Sequence, residues 1–376
     1  MNLKEKILSH EPINTSRQRE FDLARTVLIF CLGLVHVIIE CTTDEGLCYG
    51  IPYLFDTIIG GPFGAPTFMF VMGVGMCYTK RAAPKDHFIR GAKIFVLAYI
   101  LNICRFLIPY LIGFAITGDA EYYVEPLLYT VLGNDIFTFA GLAGMILALF
   151  IKLKIPYIVM VMISLVMCAF GHLLIGVDVG NPLGNIFLGY LIGTEDAAEM
   201  VHSYFPVLNW LIFPVAGYAF GHVLKYVKNK DLFYLTISPP AIVLSAAYFA
   251  YGISAEVGMF GEGQNCYYHM IFPDVLASLC VTIGVIGVYH FLLKLFSAKM
   301  YNLVTSISKN LTTTYFIHWV LVSFVVNVLI YIVRGTTILT TWTSVALGAA
   351  ISTVSVILAH FYTGLRRKDK VHEKTS

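Results

Sequence analysis

Apolar runs near the roughly 20 residues that a helix needs to cross a bilayer alternate with short polar stretches along the whole chain. They fall at 22–41, 61–79, 91–116, 127–151, 155–176, 204–224, 232–252, 271–296, 311–333 and 339–363. A further apolar piece, 181–194, is too short to cross and reads as re-entrant or interfacial. Backbone groups in lipid must bond within their own segment, so helices are the expected spans; a barrel would show weaker alternating segments of about ten residues. The predicted fold class is therefore all-α: a polytopic integral membrane protein with about ten transmembrane helices.

Composition sharpens this reading. Of 376 residues, 58% are hydrophobic and 13% charged, against about 25% charged in soluble domains. The net charge of +2 says little about partners, and nucleic acid is not an expected one. The distribution of charge says more. Of 25 lysines and arginines, all but Arg25, Arg105 and Arg334 lie at the chain ends or in the even-numbered loops, while acids such as Asp44, Glu45, Asp119 and Glu121 occupy the odd ones. The positive-inside rule then predicts both termini in the cytoplasm, with the loops 42–60 and 178–203 outside. The expected organisation is a cytoplasmic segment 1–20, one transmembrane domain 21–364 and a charged, disordered tail 365–376. The polar stretch from Met1 to Arg19 predicts no cleavable signal peptide. Five of the eight cysteines lie in apolar runs as small buried hydrophobes; Cys41, Cys48 and Cys266 fall near outer loops, where a disulfide is possible. No Cys or His spacing suggests a metal site.

Candidate chemistry concentrates in the first span. Arg25 and His36 are eleven residues apart, which returns nearly to the same helix face about 16 Å further along. Glu40 follows His36 by one turn and can orient its ring, and Asp22 precedes Arg25 by three. Ionisable groups inside spans are costly and usually face a cavity or a partner. His36 is thus a candidate base, or a histidine bonded to a neighbouring helix; Arg25 is a candidate anion ligand, or a side chain snorkelling to the interface. Elsewhere, Asn134-Asp135 faces an outer cavity or marks the interface. His318 sits about 10 Å into its span. His202 and Trp210 open the sixth span, and His269 and Asp274 open the eighth. The run Gly61 to Gly75, rich in small residues, reads as helix packing.

Several of these stretches, in order over 20–320, resemble membrane acyltransferases: acyltransferase family 3 and, further, the heparan-α-glucosaminide N-acetyltransferase group. The similar stretches are Asp22-Leu-Ala-Arg25 with His36; Pro66-Thr-Phe68-Met-Phe70-Val-Met-Gly73; Asp135-Ile-Phe-Thr-Phe-Ala-Gly141; Tyr204-Phe205-Pro206 with Trp210, then Gly217-Tyr-Ala-Phe-Gly221; and Asn310-Leu-Thr-Thr-Thr-Tyr315-Phe-Ile-His318. The chain departs from that pattern in two places. Thr26 stands where the group has Gly. No histidine lies between His36 and His87, whereas the animal heparan enzymes place a proposed catalytic histidine in the loop after the first span.

The resemblance implies transfer of an acetyl or other acyl group from cytosolic acetyl-CoA to a hydroxyl or amine of a sugar or glycan on the extracytoplasmic face, in what is expected to be a bacterial plasma membrane. His36 and Glu40 would be catalytic. Arg25, Arg81, Arg90, Lys93 and His318 would hold the acyl-CoA, and Asn134, Asp135, His202, Trp210 and His269 the acceptor. No metal is expected; membrane lipid and a possible homodimer are the further partners. A secondary transporter of a small polar solute is the alternative, since Gly- and Pro-broken spans with ionisable groups suit that class too; no inverted repeat is visible between the halves. A purely structural subunit leaves Arg25 and His36 on one stripe without a purpose.

Overall fold

The structure, a computed structural model, describes residues 3–195, 203–254 and 267–375, with side chains to 365. Every expected span coincides with a helix. Nine are long and apolar enough to cross a membrane among the described residues: α1 Arg19–Cys41, α2 Gly50–Cys77, α3 Pro84–Thr117, α4 Ala120–Lys152, then α6 Val207–Lys225, α7 Lys230–Ser254, α8 Phe272–Leu295, α9 Leu311–Arg334 and α10 Thr341–Leu365. The remaining one, α5 Tyr157–His172, is shorter. The piece at 181–194 holds only a short helix, Pro182–Leu188, capped by Asn181. Strands are absent among the described residues, which hold two isolated bridges, Leu8 with Val227 and Val177 with Thr194. The outer surfaces carry large apolar side chains, among them Ile158, Phe170, Val243, Leu244 and Val333. Such a surface suits lipid and is too apolar for a soluble monomer.

The helix of α10 continues to Thr375 through the tail that its composition marks as disordered. Arg, Lys and Glu are good helix formers and extend a helix already nucleated by its apolar half.

The chain forms two compact units. One comprises Met1–Glu20, Gly61–Asn102 and Leu128–Lys294; the other comprises Phe21–Gly60, Ile103–Leu127 and Leu295–Ser376. In the first, α6 packs along the second half of α2. A Cβ added at Gly73 would meet the Pro214 carbonyl oxygen at 1.9 Å, and one at Gly217 would meet that of Phe70 at 1.9 Å. Only glycine permits this approach, so the small-residue run of α2 is a packing device as its composition predicts.

The second unit is built on α1, α9, α10 and the C-terminal part of α3. Val37, Cys41, Val322, Val326 and Ile351 make one apolar cluster there. Its helices contain π-helical stretches at Ile103–Leu107 and Ser323–Ile330, and a further one that begins at Leu54 is broken by a kink at Gly61. Such local over-widening re-aims side chains and is frequent at functional sites.

Candidate active site

His36 comes from the middle of α1 and His318 from the second turn of α9. The two are 282 positions apart in sequence, yet His318 Nε2 lies 3.4 Å from His36 Nδ1, a long hydrogen bond. Trp319, the next residue on α9, packs on His36 with ring centroids 4.0 Å apart, and Tyr315 packs edge-on against His318 at 5.0 Å. The Arg105 guanidinium, buried on the π-helical stretch of α3, lies 4.6 Å from the centre of the Trp319 ring and 4.5 Å from that of Phe106. This sandwich lets an arginine sit inside a span at lower cost.

Two polar atoms in this cluster are left without a well-formed partner. Trp319 Nε1 is buried and unpaired, as is His318 Nδ1. Buried polar groups are nearly always hydrogen-bonded, so two exceptions side by side call for a reason. His36 itself remains partly accessible, as does Glu40 one turn further on. Glu40 makes no hydrogen bond to His36; it interacts instead with the charge of Arg105 and lies near Tyr110 and Tyr122. Those tyrosines belong to an aromatic wall in which Tyr122 stacks on Tyr331 at 3.7 Å and donates its hydroxyl to Asn327 at 3.1 Å.

Arg25 sits near the start of α1. It pairs with buried Asp22 at 3.5 Å, and Asp22 also accepts the Ser308 hydroxyl at 2.8 Å, so the pairing suggested by their spacing forms. Arg81, Arg90 and Lys93 belong to the other compact unit and are exposed. Lys93 emerges among Phe88, Ile89, Val96 and Ile100, the setting of a lysine on a lipid-facing helix.

Of the residues suggested for an acceptor, Asn134, Asp135, Trp210 and His269 are in that other unit and make structural hydrogen bonds there. Asp135 caps α4's long straight part, accepting from Phe137 N at 2.8 Å and Thr138 N at 3.1 Å. Asn134 accepts from Tyr204 N at 2.7 Å and donates to the Gly189 carbonyl at 3.2 Å. Trp210 is fully buried and donates to the Tyr268 carbonyl at 2.7 Å. His269 is buried between Glu195 at 3.1 Å and the Ser203 carbonyl at 2.8 Å. His202 and Cys266 lie outside the described residues. Cys41 is buried, and the exposed Cys48 thiol donates to the Asp44 carbonyl at 3.3 Å. No group of three or more His, Cys, Asp or Glu suited to a metal is found among the described residues.

The sequence reading gave no role to Arg105 or Trp319. Arg105 carried a signal, an arginine within a span; Trp319 carried only its place next to His318.

The long apolar helices among the described residues define a polytopic membrane protein. A family model described as heparan-alpha-glucosaminide N-acetyltransferase, catalytic, matches residues 17–250. That is more than half of the chain, and the chain belongs to this family of membrane N-acetyltransferases. The match includes His36, Glu40 and Arg105; His318 and Trp319 lie beyond it. No curated protein and no solved structure matches the chain.

Proposed function

We propose that the protein transfers an acetyl group from acetyl-CoA, bound from the cytoplasmic side, to a hydroxyl or amine of a sugar acceptor reached from the opposite face. The observation that carries this reading is the histidine pair with its two unpaired buried neighbours, His318 Nδ1 and Trp319 Nε1.

In this reading a neutral His318 carries its proton on Nδ1, the nitrogen that does not face His36. In a neutral ring Nε2 is then an acceptor, so His36 Nδ1 donates to it. His36 Nε2 is left with a bare lone pair, the form a general base requires. His318 thus fixes tautomer and orientation, the role a carboxylate plays in a Ser-His-Asp triad. The acceptor's proton passes to His36 Nε2 as its oxygen or nitrogen bonds to the acetyl carbon. The C–S bond breaks, and the proton leaves with the thiolate sulfur. Trp319 Nε1–H is a donor available to the oxygen that gains charge during attack. Glu40 and the tyrosine wall provide a polar and aromatic surface for the acceptor.

The lysine and arginine bias supports cytoplasmic termini and a plasma-membrane location. The domain limits 21–364, a bacterial source and a homodimer belong to the same reading. The test is transfer of labelled acetyl from acetyl-CoA by purified protein, screened against amino sugars and polysaccharides. Label on an acceptor, lost in His36→Ala, is the expected result. Binding of a solute without any transfer would favour the transporter instead.

A further inference from the structure

A second polar concavity lies in the other compact unit, at the ends of α2 and α6. Its volume is about 480 Å³, within the range of about 300–1,000 Å³ common for ligand sites. Thr15, Tyr78, Thr79, Lys80, His222 and Lys225 line it.

The wall is built by the segment before α1, which straps across the end of α6. Ser9 N donates to the Tyr226 carbonyl at 2.7 Å and Ile13 N to that of Lys225 at 2.7 Å; Asn14 Nδ2 bonds the Leu224 and Val227 carbonyls. The strap therefore consumes carbonyls that the end of α6 leaves free. Lys225 bridges the floor, donating to the Cys77 carbonyl at 3.0 Å with its ammonium 5.4 Å from the centre of the Tyr78 ring.

What faces this space is a set of donors. Its lining residues carry two ammonium groups, four hydroxyls, a thiol and an imidazole, and no carboxylate among the described residues. The acid whose charge reaches Tyr78 is Glu20, and Glu20 is already engaged by Lys230 and the Tyr234 hydroxyl. The Tyr78 hydroxyl is buried with no partner. Burial, with Cys77 and Glu20 adding to it, pushes the Tyr78 phenol up, so it stays a neutral donor. A buried donor without an acceptor, beside two cations and no lining acid among the described residues, is an arrangement that an anion would satisfy.

We propose that this cleft binds a phosphate group, that of the nucleotide portion of the acyl donor or that of an anionic lipid headgroup. Lys80 and Lys225 supply charge and Tyr78, Thr15 and Thr79 supply directed hydrogen bonds. The ligand's identity as the acyl donor rests on the acetyl-transfer reading; the anion site does not. It moves the expected phosphate contacts from Arg81, Arg90 and Lys93, which stand exposed, to groups that converge on one space.

Calorimetry on the full-length protein in detergent distinguishes the two claims. The probes are inorganic pyrophosphate, CoA, 3′-dephospho-CoA and a short-chain phosphatidic acid, titrated into wild type, Lys80→Gln and Tyr78→Phe. Both substitutions are mild: Lys80 is exposed, and Phe keeps the ring on which Lys225 rests. Wild type should bind pyrophosphate and CoA, and each variant should weaken both by about three- to tenfold. Weaker binding of 3′-dephospho-CoA would assign the 3′-phosphate to the cleft. Pyrophosphate binding that the variants lose, with no binding of CoA, keeps the anion site and rejects the donor reading; displacement by phosphatidic acid then assigns the headgroup. CoA binding identical in all three proteins, or no binding of pyrophosphate and CoA to wild type, overturns the proposal.

Discussion

The cluster around Asn134 and His269 and the cluster around His36 and His318 draw on the same residue types, yet they are finished differently. In the first, most side chains are engaged: Asn134 uses both ends of its amide, Asp135 accepts two backbone N–H groups, and both nitrogens of His269 and the indole of Trp210 have partners, while Asn209 Oδ1 nearby has none. In the second, the histidines are joined by one long bond, and an imidazole nitrogen and an indole nitrogen are buried without a proper partner. The first network fastens loops to helix ends. In the second the unmade hydrogen bonds are costly, because an unmade hydrogen bond in a low-dielectric interior costs more than a made one contributes.

Substitutions can break that contrast, and the largest effect is expected at His36. His36→Ala should lower acetyl transfer by about 10²–10⁴-fold while donor binding, measured by calorimetry, stays near wild type; a loss of binding equal to the loss of rate would make His36 a ligand contact instead. His318→Ala should lower kcat by about 10–100-fold through misorientation of His36. KM for the donor should hold and His318→Gln should recover part of the rate, since a carbonyl oxygen again accepts from His36. Equal damage from both variants would reduce His318 to packing. Asp135→Ala should instead cost about 0.5–2 kcal/mol of stability as a lost N-cap, seen as a lower Tm with kcat per folded molecule unchanged.

The smallest effect is at Asp119. The Tyr331 hydroxyl, 2.6 Å away, and then the Tyr122 backbone N–H hold its carboxyl below the usual carboxylate range. Because the folded value is the lower one, this contribution is present above the unfolded value and is lost as pH falls through the folded one. Thermal melts should show a shallow loss of stability over that acid window, absent in Asp119→Asn. An unchanged pH profile in the variant would deny the hydrogen bond any part in it.

The contrast also explains what could be read from the sequence. The ten spans were legible because each is a long apolar run set between charged loops, a signal local to every segment. His36 and His318 were legible as individual oddities, ionisable groups inside spans. Their meeting was not, because a contact across 282 positions leaves no trace in spacing along either helix. Glu40, one turn from His36, was the partner that local periodicity offered, and tertiary packing supplied His318 instead. The structural bonds of the other cluster were partly legible. Asp135 followed three residues later by Thr138 is a helix-start signal, and the structure has Asp135 as that N-cap. The anion cleft was illegible for the same reason as the histidine pair: its lysines and Tyr78 come from two helix ends and are closed in by a strap from before the first span.

The central claim is that His36 presents a bare Nε2 because a neutral His318 carries its proton on Nδ1 and accepts from His36 at Nε2. Nitrogen NMR of protein labelled at histidine, with His36 assigned by comparison with His36→Ala, reads this directly from the distinct shifts of protonated and unprotonated ring nitrogens. The account predicts an unprotonated Nε2 and a protonated Nδ1 for His36 at neutral pH. A protonated Nε2 with an unprotonated Nδ1, or a doubly protonated ring, would contradict it.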